Sequence, residues 1–488
     1  MPKKCISICK QFPKEDCNAP RCRYIDGSKR KYCRISYKYK MTQPNCKVTR
    51  KYKKSEEKMV AQNKIRQFIN RSSRVLQLIC ANSGECLAFG RKISEINAYF
   101  KNFIMFDYSV GNAITIGEPS DNGFIKQITF ERNGYKANTI LKSSQKPDSD
   151  NLVYEYIVGT KFINRIIRKF PCFIETYGLY FYKSPNHWNY MKDNDIPDIL
   201  RYINLQSSIN YSKACTDSRY AAILMQHISS GISIEQVIAS NIFINIIKYD
   251  LIYILFIVYQ ALAAVSTKFT HYDLHPGNVM IYEPVKGKYI QYIYHLNDGS
   301  IISFYCPYIP KIIDYGRSFF DNGNINSSNI YDKVCDTKAC DPCGEDNGFI
   351  WLDPKAFLHI SSSMKNESHD LRLLNGINNS LNSIMMENDN KNDTYKSMHS
   401  IVSKVRYGVG IDYEDQKQFG TKENTKLHLS GETIANVTDA YIQLKTHIEK
   451  QGLINENQAK YSNPDDQLGI LHIYANGNPM VYESSSSK

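Results

Sequence analysis

The alternation of apolar and polar residues predicts a strand-rich segment in the first half of the chain. Short runs of this kind lie at residues 113–117, 123–130, 135–142, 172–181 and 220–228. A two-residue period is typical of strands with one buried face. Asn133 and Gly134 separate two of the runs and favour a hairpin turn. We read residues 172–181 as a strand pair and residues 220–228 as a buried strand.

Helical periodicity lies on both sides of these runs. Apolar positions at residues 56–106 repeat about every 3.6 residues, which predicts helices. The longest apolar run, residues 251–265, contains Gln260 and is shorter than the roughly 20 residues that cross a bilayer. We therefore expect a buried helix there, no transmembrane segment and a soluble protein.

One polar loop carries the strongest chemical signal. The segment His271-Tyr272-Asp273-Leu274-His275-Pro276-Gly277-Asn278 follows the long apolar run and precedes a short strand-like run. Phosphoryl transfer from a magnesium nucleotide needs an Asp that orients the attacking hydroxyl and an Asn that binds Mg²⁺. Asp273 and Asn278 have the required spacing. Such a pair occurs often by chance, so further partners are needed in order.

Three residues supply those partners. Asp314 lies in Ile312-Ile313-Asp314-Tyr315-Gly316, where an Asp beside a glycine turn can chelate Mg²⁺. Lys142 ends a strand-like run and can bind nucleotide phosphates. Glu155 opens a helix-like segment 13 residues later and can form an ion pair with Lys142. Together these elements are specific, whereas any one alone is weak.

These motifs resemble those of the protein kinase superfamily, and within it the divergent serine/threonine kinases of large double-stranded DNA viruses. The H-x-D-L-H-P-G-N form is also similar to atypical and small-molecule kinases. The resemblance covers residues 110–380 and implies an α+β, bilobal protein kinase-like fold with a basic, Cys-rich N-terminal extension. It implies Asp273 as the catalytic base and Asn278 and Asp314 as Mg²⁺ ligands. Lys142 and Glu155 would then position the phosphates of ATP.

The resemblance also predicts where the nucleotide would bind. A loop from Gly117 to Gly123 would cover it, but a complete G-x-G-x-x-G is missing and both glycines could simply be turn residues. Backbone groups from Gln226 to Ile228 would bind the edge of the adenine.

Several positions differ from the kinase pattern. Tyr272 stands where many regulated kinases have Arg, which predicts activity without a phosphate on the activation loop. His275 stands where serine/threonine kinases usually have Lys, and it could contact the transferring phosphate or order the loop. A hairpin is predicted at residues 288–305, and no A-P-E element follows Gly316. Asp370 is predicted to accept backbone N–H bonds from the catalytic loop.

Charge is concentrated in an N-terminal arm, residues 1–54. The arm contains 17 Lys and Arg against three Asp and Glu, while the rest of the chain contains 44 and 45. An arm of this density can bind nucleic acid, an acidic protein or an anionic membrane surface, or it can be a solvated solubilising or nuclear-targeting tail.

Six cysteines lie in the arm, at positions 5, 9, 17, 22, 33 and 46. Their spacing has no C-x2-C knuckle, so Zn²⁺, disulfides and an adaptor module like those of large DNA virus proteins all stay open. The Lys-rich N-terminus lacks an apolar signal region, which predicts a protein that is not secreted. The resemblance then implies the host cytoplasm or a virion.

The sequence predicts five parts: a basic arm or adaptor at 1–54, a helical linker at 55–110, a small lobe at 111–228, a large lobe at 229–445 and a polar tail at 446–488 with disorder near its end. The predicted function is an ATP- and Mg²⁺-dependent serine/threonine protein kinase of atypical type, with a protein substrate. The alternatives are a small-molecule phosphotransferase and a pseudokinase scaffold that binds through the arm.

Overall fold

The computed structural model describes most of the chain after residue 87 and a small part before it. The described residues are 14, 17, 22–27, 30–35, 88–117, 123–144, 152–211, 217, 220–334, 349–353, 356–360, 362–387, 393–405, 433–450 and 452–485. The chain divides into two units, Met1–Ser73 and Arg74–Lys488. The described part is α+β, as predicted.

The first unit contains an antiparallel hairpin of β1, Cys22–Gly27, and β2, Arg30–Ile35. A disulfide joins Cys17 to Cys33, whose Cα atoms are 5.8 Å apart. Zn²⁺, disulfides and an adaptor module were left open for the arm, and for Cys17 and Cys33 the structure shows a disulfide. Cys5, Cys9 and Cys46 lie outside the described residues, so zinc binding by the arm stays a prediction.

A six-stranded antiparallel sheet begins the second unit. Its strands are β3 Ser109–Thr115, β4 Gly123–Arg132, β5 Tyr135–Ser144, β6 Thr176–Tyr182, β7 Ile203–Leu205 and β8 Ala221–Gln226. Their order is β3-β4-β5-β8-β6-β7. Asn133 and Gly134 have φ values of 51° and 80°, as a tight hairpin turn requires. The hairpin prediction is confirmed, but residues 172–181 form one strand rather than two.

The first three helices contact this sheet or flank it. They are α1 Lys92–Tyr99, α2 Leu152–Val158 and α3 Pro185–Asp193. Helix α2 continues through a π-helical turn, Gly159–Ile163, and a last turn, Asn164–Ile166. Helix α1 confirms helical structure within the predicted linker, whose residues before 88 lie outside the described part.

The sheet separates two hydrophobic clusters. Strand β8 alternates between them, because Ile223 and Met225 belong to the cluster with α2, while Ala222 and Leu224 belong to the cluster with α1. All four are buried. This two-sided burial explains why residues 220–228 read as a continuous apolar run.

Eight further helices follow in the described part of the chain. They are α4 Ile234–Ala239, α5 Ile244–Tyr249, α6 Leu251–Val265, α7 Ser327–Val334, α8 Arg372–Glu387, α9 Asp393–Val402, α10 Val437–Lys450 and α11 Leu453–Lys460. Helix α6 is buried on nearly every side, as an apolar sequence without a polar face requires. Among the described helices, none alone has the length and composition of a membrane span, although the bent pair Asn241–Tyr249 and Leu251–Val265 passes that test jointly.

The remaining strands form smaller sheets. They are β9 Ile232–Ser233, β10 Phe269–Thr270, β11 Val279–Tyr282, β12 Tyr289–His295, β13 Ile301–Cys306, β14 Ile309–Ile312, β15 Phe319–Phe320, β16 Phe349–Asp353, β17 Ala356–Ile360, β18 Gln467–Tyr474 and β19 Val481–Ser484. The pair β12–β13 confirms the predicted hairpin.

The end of the chain corrects one expectation. Strand β18 pairs in parallel with β12, and β19 pairs with β18. Leu471 and Ile473 of β18 are buried in the main core. The prediction of disorder near the end of the polar tail is therefore wrong for the described residues 452–485. The segment is polar on average, but alternate residues of β18 are apolar and buried.

Candidate active site

Two paired strands bring the catalytic-loop motif beside the Asp314 motif. The loop leaves β10, ends in a short 3-10 turn at Pro276–Asn278 and enters β11. In the antiparallel pair β11–β14, Val279 lies opposite Ile312. The N–H of Ile313 donates to the carbonyl of Asn278 at 3.1 Å. The register alone therefore places Asn278 and Asp314 at the same end of the sheet.

Lys142 joins two carboxylates from distant parts of the chain. Its Nζ lies 2.8 Å from Glu155 Oε2 and 3.0 Å from Asp314 Oδ1. The side chain of Glu155 is 1% exposed, that of Lys142 15% and that of Asp314 34%. The predicted strand–helix ion pair is thus present. Asp314 is the most exposed member of this trio.

The trio favours an ionised Asp314. Burial raises the pKa of Asp314, but the charge and hydrogen bond of Lys142 outweigh burial and lower this pKa to about 2. Asp314 also has a φ of 68°, in the left-handed region that Asp tolerates better than most residues. An ionised carboxylate that is partly open to solvent can bind a cation.

His271 holds the loop from within and is neutral. Its Nε2 donates to the carbonyl of Ile313 at 2.9 Å, and its Nδ1 accepts the N–H of Asp273 at 3.2 Å. Burial lowers the pKa of His271 to about 4. A proton on Nδ1 would remove the acceptor for Asp273, so the hydrogen bonds and the burial require the same uncharged form.

Asp370 supports the same loop from below, as predicted. Its carboxylate accepts the N–H groups of His271 and Tyr272 at 2.8 and 2.9 Å. Burial raises the pKa of Asp370 to about 7, although both hydrogen bonds act in the opposite direction. The backbone carbonyl of Asp370 accepts the hydroxyl of Tyr259 in α6. The buried apolar helix therefore anchors the support of the catalytic loop.

Asp273 has two arginine partners that sequence reasoning missed. Arg372 Nη1 lies 2.5 Å from Asp273 Oδ1, and Arg317 Nη1 lies 3.6 Å from Oδ2. The Nδ2 group of Asn278 donates to the carbonyl of Asp273 at 2.8 Å. Arg317 directly follows Asp314-Tyr315-Gly316 and Arg372 lies two residues after Asp370, which is the only signal that the sequence offers.

The structure favours the loop-ordering role for His275. Its Nδ1 accepts the N–H of Gly277 at 3.2 Å. Burial lowers its pKa. The ring also lies close to Gly277, where an added Cβ would meet the His275 ring at 2.8 Å. Because Gly277 has no side chain, the imidazole ring of His275 can pack against its backbone.

The residues predicted to contact the nucleotide lie at two places. Gly117 follows β3 with a φ of 71°, and Gly123 begins β4, while residues 118–122 of the predicted covering loop lie outside the described residues. The backbone N–H of Gln226 donates to the backbone carbonyl of Glu175 at 2.8 Å. The backbone carbonyl of Ile228 accepts the N–H of Gly231 at 3.3 Å.

The adenine prediction stays a prediction. Gln226 lines a cavity of about 70 Å³ together with Glu175 and Lys311. The structure brings Lys142, Glu155 and Asp314 together, and the pairing of β11 with β14 sets Asn278 beside Asp314.

Oxygen ligands at Asn278 and Asp314 fit Mg²⁺. Mg²⁺ is usually held by one or two protein oxygens, with substrate phosphates and water completing the shell. The Nδ2 group of Asn278 donates to the backbone carbonyl of Asp273. The side-chain oxygen of Asn278, Oδ1, is therefore the atom that can bind a cation. Among the described residues, no cluster of three or more His, Cys, Asp and Glu side chains has the arrangement of a metal site.

Comparisons with known proteins yield little beyond a distant likeness. No family model matches the chain, and no curated protein matches it. Among solved structures 323 chains match. One is the kinase domain of PF14_0431, at 16% identity and a TM-score of 0.25, over 45% of this chain. The match spans about half of that chain, 55% of its length.

Proposed function

We propose that this protein is an ATP- and Mg²⁺-dependent phosphotransferase, and that it acts as a serine/threonine protein kinase of atypical type. One observation carries the proposal. Lys142 contacts Glu155, 13 residues away, and Asp314, 172 residues away, while the Asp314 segment is hydrogen-bonded to the loop of Asp273 and Asn278. Phosphoryl transfer needs these charges in one place.

Each residue has a role in this proposal. Asp273 orients the acceptor hydroxyl and accepts its proton. Lys142, held by Glu155, binds phosphate oxygens of the nucleotide. Asn278 and Asp314 would hold Mg²⁺, which when bound would neutralise charge on the phosphates. His271 and Asp370 fix the backbone of the loop, so that Asp273 is directed before the substrate binds.

The acceptor is proposed to be a Ser or Thr hydroxyl of a protein. The motif order from Lys142 to Gly316 resembles that of protein kinases, and this resemblance supports a protein acceptor. The H-x-D-x-H form of the loop is shared with small-molecule kinases, so a small hydroxyl compound is the competing acceptor. The experiment must therefore offer both kinds of acceptor.

The test measures transfer of labelled γ-phosphate from MgATP by the wild type and by Asp314→Ala. The acceptors are a mixture of Ser- and Thr-containing proteins, choline and an aminoglycoside. We expect labelled Ser or Thr in protein, and a loss of about 100-fold or more in the variant, because a ligand for the cation on the phosphates is lost. Asp465→Ala is the matched control, since Asp465 is exposed and has no role in the proposed site.

The possible results separate the readings. Label only in choline or the aminoglycoside would replace the protein acceptor by a small molecule. ATP binding without transfer to any acceptor would contradict an enzyme and favour the scaffold. Equal activity of Asp314→Ala and wild type would contradict the proposed role of Asp314 as a ligand of Mg²⁺.

A further inference from the structure

The pair of arginines on Asp273 has no role in the function proposed above. Arg372 and Arg317 approach different oxygens of the Asp273 carboxylate. The side chains are 14% and 13% exposed, and that of Asp273 is 11% exposed. An arginine–carboxylate contact in so sheltered a place needs an explanation beyond surface charge.

The position of these guanidinium groups follows from the position of Asp273. A hydroxyl that is hydrogen-bonded to Asp273 must lie about 3–3.5 Å from the phosphorus that it attacks. A group in contact with Asp273 therefore lies within a few ångströms of the oxygens of the transferring phosphoryl group. Charge on those oxygens is stabilised by cations and hydrogen-bond donors that are already in place.

Lys142, another cation of the site, already has a role in the proposed function, where it binds phosphate oxygens of the nucleotide. Lys142 already contacts Glu155 and Asp314. His275 accepts the N–H of Gly277 through Nδ1, so this ring nitrogen serves the loop. Guanidinium groups bind phosphate through two parallel N–H groups. Of these side chains, Arg372 is the nearest to Asp273.

Arg372 is also held in place by its backbone. It begins α8, directly after the short turn His369–Leu371 whose Asp370 accepts two N–H groups of the catalytic loop. The loop and the arginine are thus fixed to each other through a buried carboxylate. This rigidity is what a preorganised donor needs.

We infer that Arg372 is a catalytic residue that binds the transferring phosphoryl group, with Arg317 as a second cation beside it; this inference depends on the proposed function. The acceptor oxygen forms a bond to the γ-phosphorus while the bond from that phosphorus to the bridging oxygen breaks. The bridging oxygen keeps the electron pair and leaves as part of ADP, and the hydroxyl proton passes to Asp273. During this step the guanidinium group of Arg372 gives up its contact with the Asp273 carboxylate and binds oxygens of the phosphoryl group instead.

The test compares Arg372→Ala and Arg372→Lys in the full-length protein. We expect Arg372→Ala to lower kcat by about 10²–10³-fold with little change in the KM or Kd for ATP. Arg372→Lys should keep more activity than Arg372→Ala, because it keeps the charge.

A purely structural role for Arg372 predicts a different pattern. Arg372→Ala would then lower the melting temperature and the affinity for ATP, and Arg372→Lys would keep no more activity than Arg372→Ala. That pattern, or an Arg372→Ala variant with wild-type kcat, overturns the inference. Arg201→Ala is the matched control, since the Arg201 side chain is 75% exposed, pairs with the exposed Asp198 and has no role in the proposed site. If the wild type itself transfers no phosphate, the proposed function fails and this inference fails with it.

Discussion

At the scale of single residues, Tyr315 links two segments of the site through its hydroxyl. The hydroxyl donates to the carbonyl of Ile312 at 2.7 Å and accepts the N–H of Ile174 at 3.0 Å. The side chain is fully buried. We expect Tyr315→Phe to lower the free energy of unfolding by about 1–3 kcal/mol, because a buried N–H loses its acceptor. Chemical denaturation measures this difference.

Tyr190→Phe is the control for that measurement. It removes the same hydroxyl from a ring that is 47% exposed, so its unfolding free energy should change by less than about 0.5 kcal/mol. Equal effects of the two substitutions would contradict a structural role for the Tyr315 hydroxyl. A Tyr315→Phe protein as stable as the wild type would also contradict it.

The residues that could be predicted are those with a fixed order along the chain. Lys142, Glu155 and Asp314 were identifiable because their spacing matches the needs of a nucleotide site, and Asp370 because it opens a helix. Arg317 and Arg372 were not, since their contacts with Asp273 depend on how separate loops fold together. Arg372 lies 99 residues after Asp273, and no local pattern encodes a contact at that separation.

At the scale of elements, helix α8 packs against the catalytic loop through a glycine. A Cβ added to Gly376 would lie 2.8 Å from Cδ of Pro276 and 2.9 Å from its Cγ. Glycine in a helix interior costs about 1 kcal/mol relative to alanine, so its presence here agrees with a need for close approach. The glycine thus allows α8 to lie directly under the turn Pro276–Asn278.

We expect Gly376→Ala to lower the phosphotransferase rate and the melting temperature, although alanine is the better helix former. The proline ring cannot yield without moving the turn that carries Asn278. Asn379→Ala on the exposed side of the same helix is the control. It should leave both quantities unchanged or raise the melting temperature slightly. A Gly376→Ala protein that is more stable and equally active would show that the contact is not needed.

Elements with a local signal could be predicted and the others could not. Asn133-Gly134 specified the β4–β5 hairpin, and an unbroken apolar run specified α6. The prediction of two strands at residues 172–181 was wrong because the first of these residues form only an isolated bridge, between Phe173 and Ile312. The pairing that makes those residues irregular comes from the Asp314 segment, which lies far away in the sequence.

At the scale of the second unit, the end of the chain completes a sheet that begins with the inserted hairpin. Strand β12 pairs with β13 on one side and with β18 on the other, from Ile290 opposite Gly469 to His295 opposite Tyr474. Parallel pairing over such a separation leaves no local signature, so the polarity of residues 446–488 predicted a polar tail with disorder near its end. The N–H of Met480 donates to the carbonyl of Arg168 at 2.8 Å, close to the end of the helical segment that carries Glu155.

A chain that ends at Asp466 should therefore be much less stable than the full chain. The deletion removes β18 and β19, including Leu468, Leu471 and Ile473, which are buried in the main core. Burial of each such side chain contributes about 1.5–3 kcal/mol, so the loss should exceed about 4 kcal/mol. It also exposes the edge of β12, which favours aggregation. Thermal melting and size-exclusion chromatography measure both effects, and deletion of residues 486–488 is the control. If the chain that ends at Asp466 melted like the full chain and stayed monodisperse, β18 and β19 would contribute nothing to the stability of the second unit.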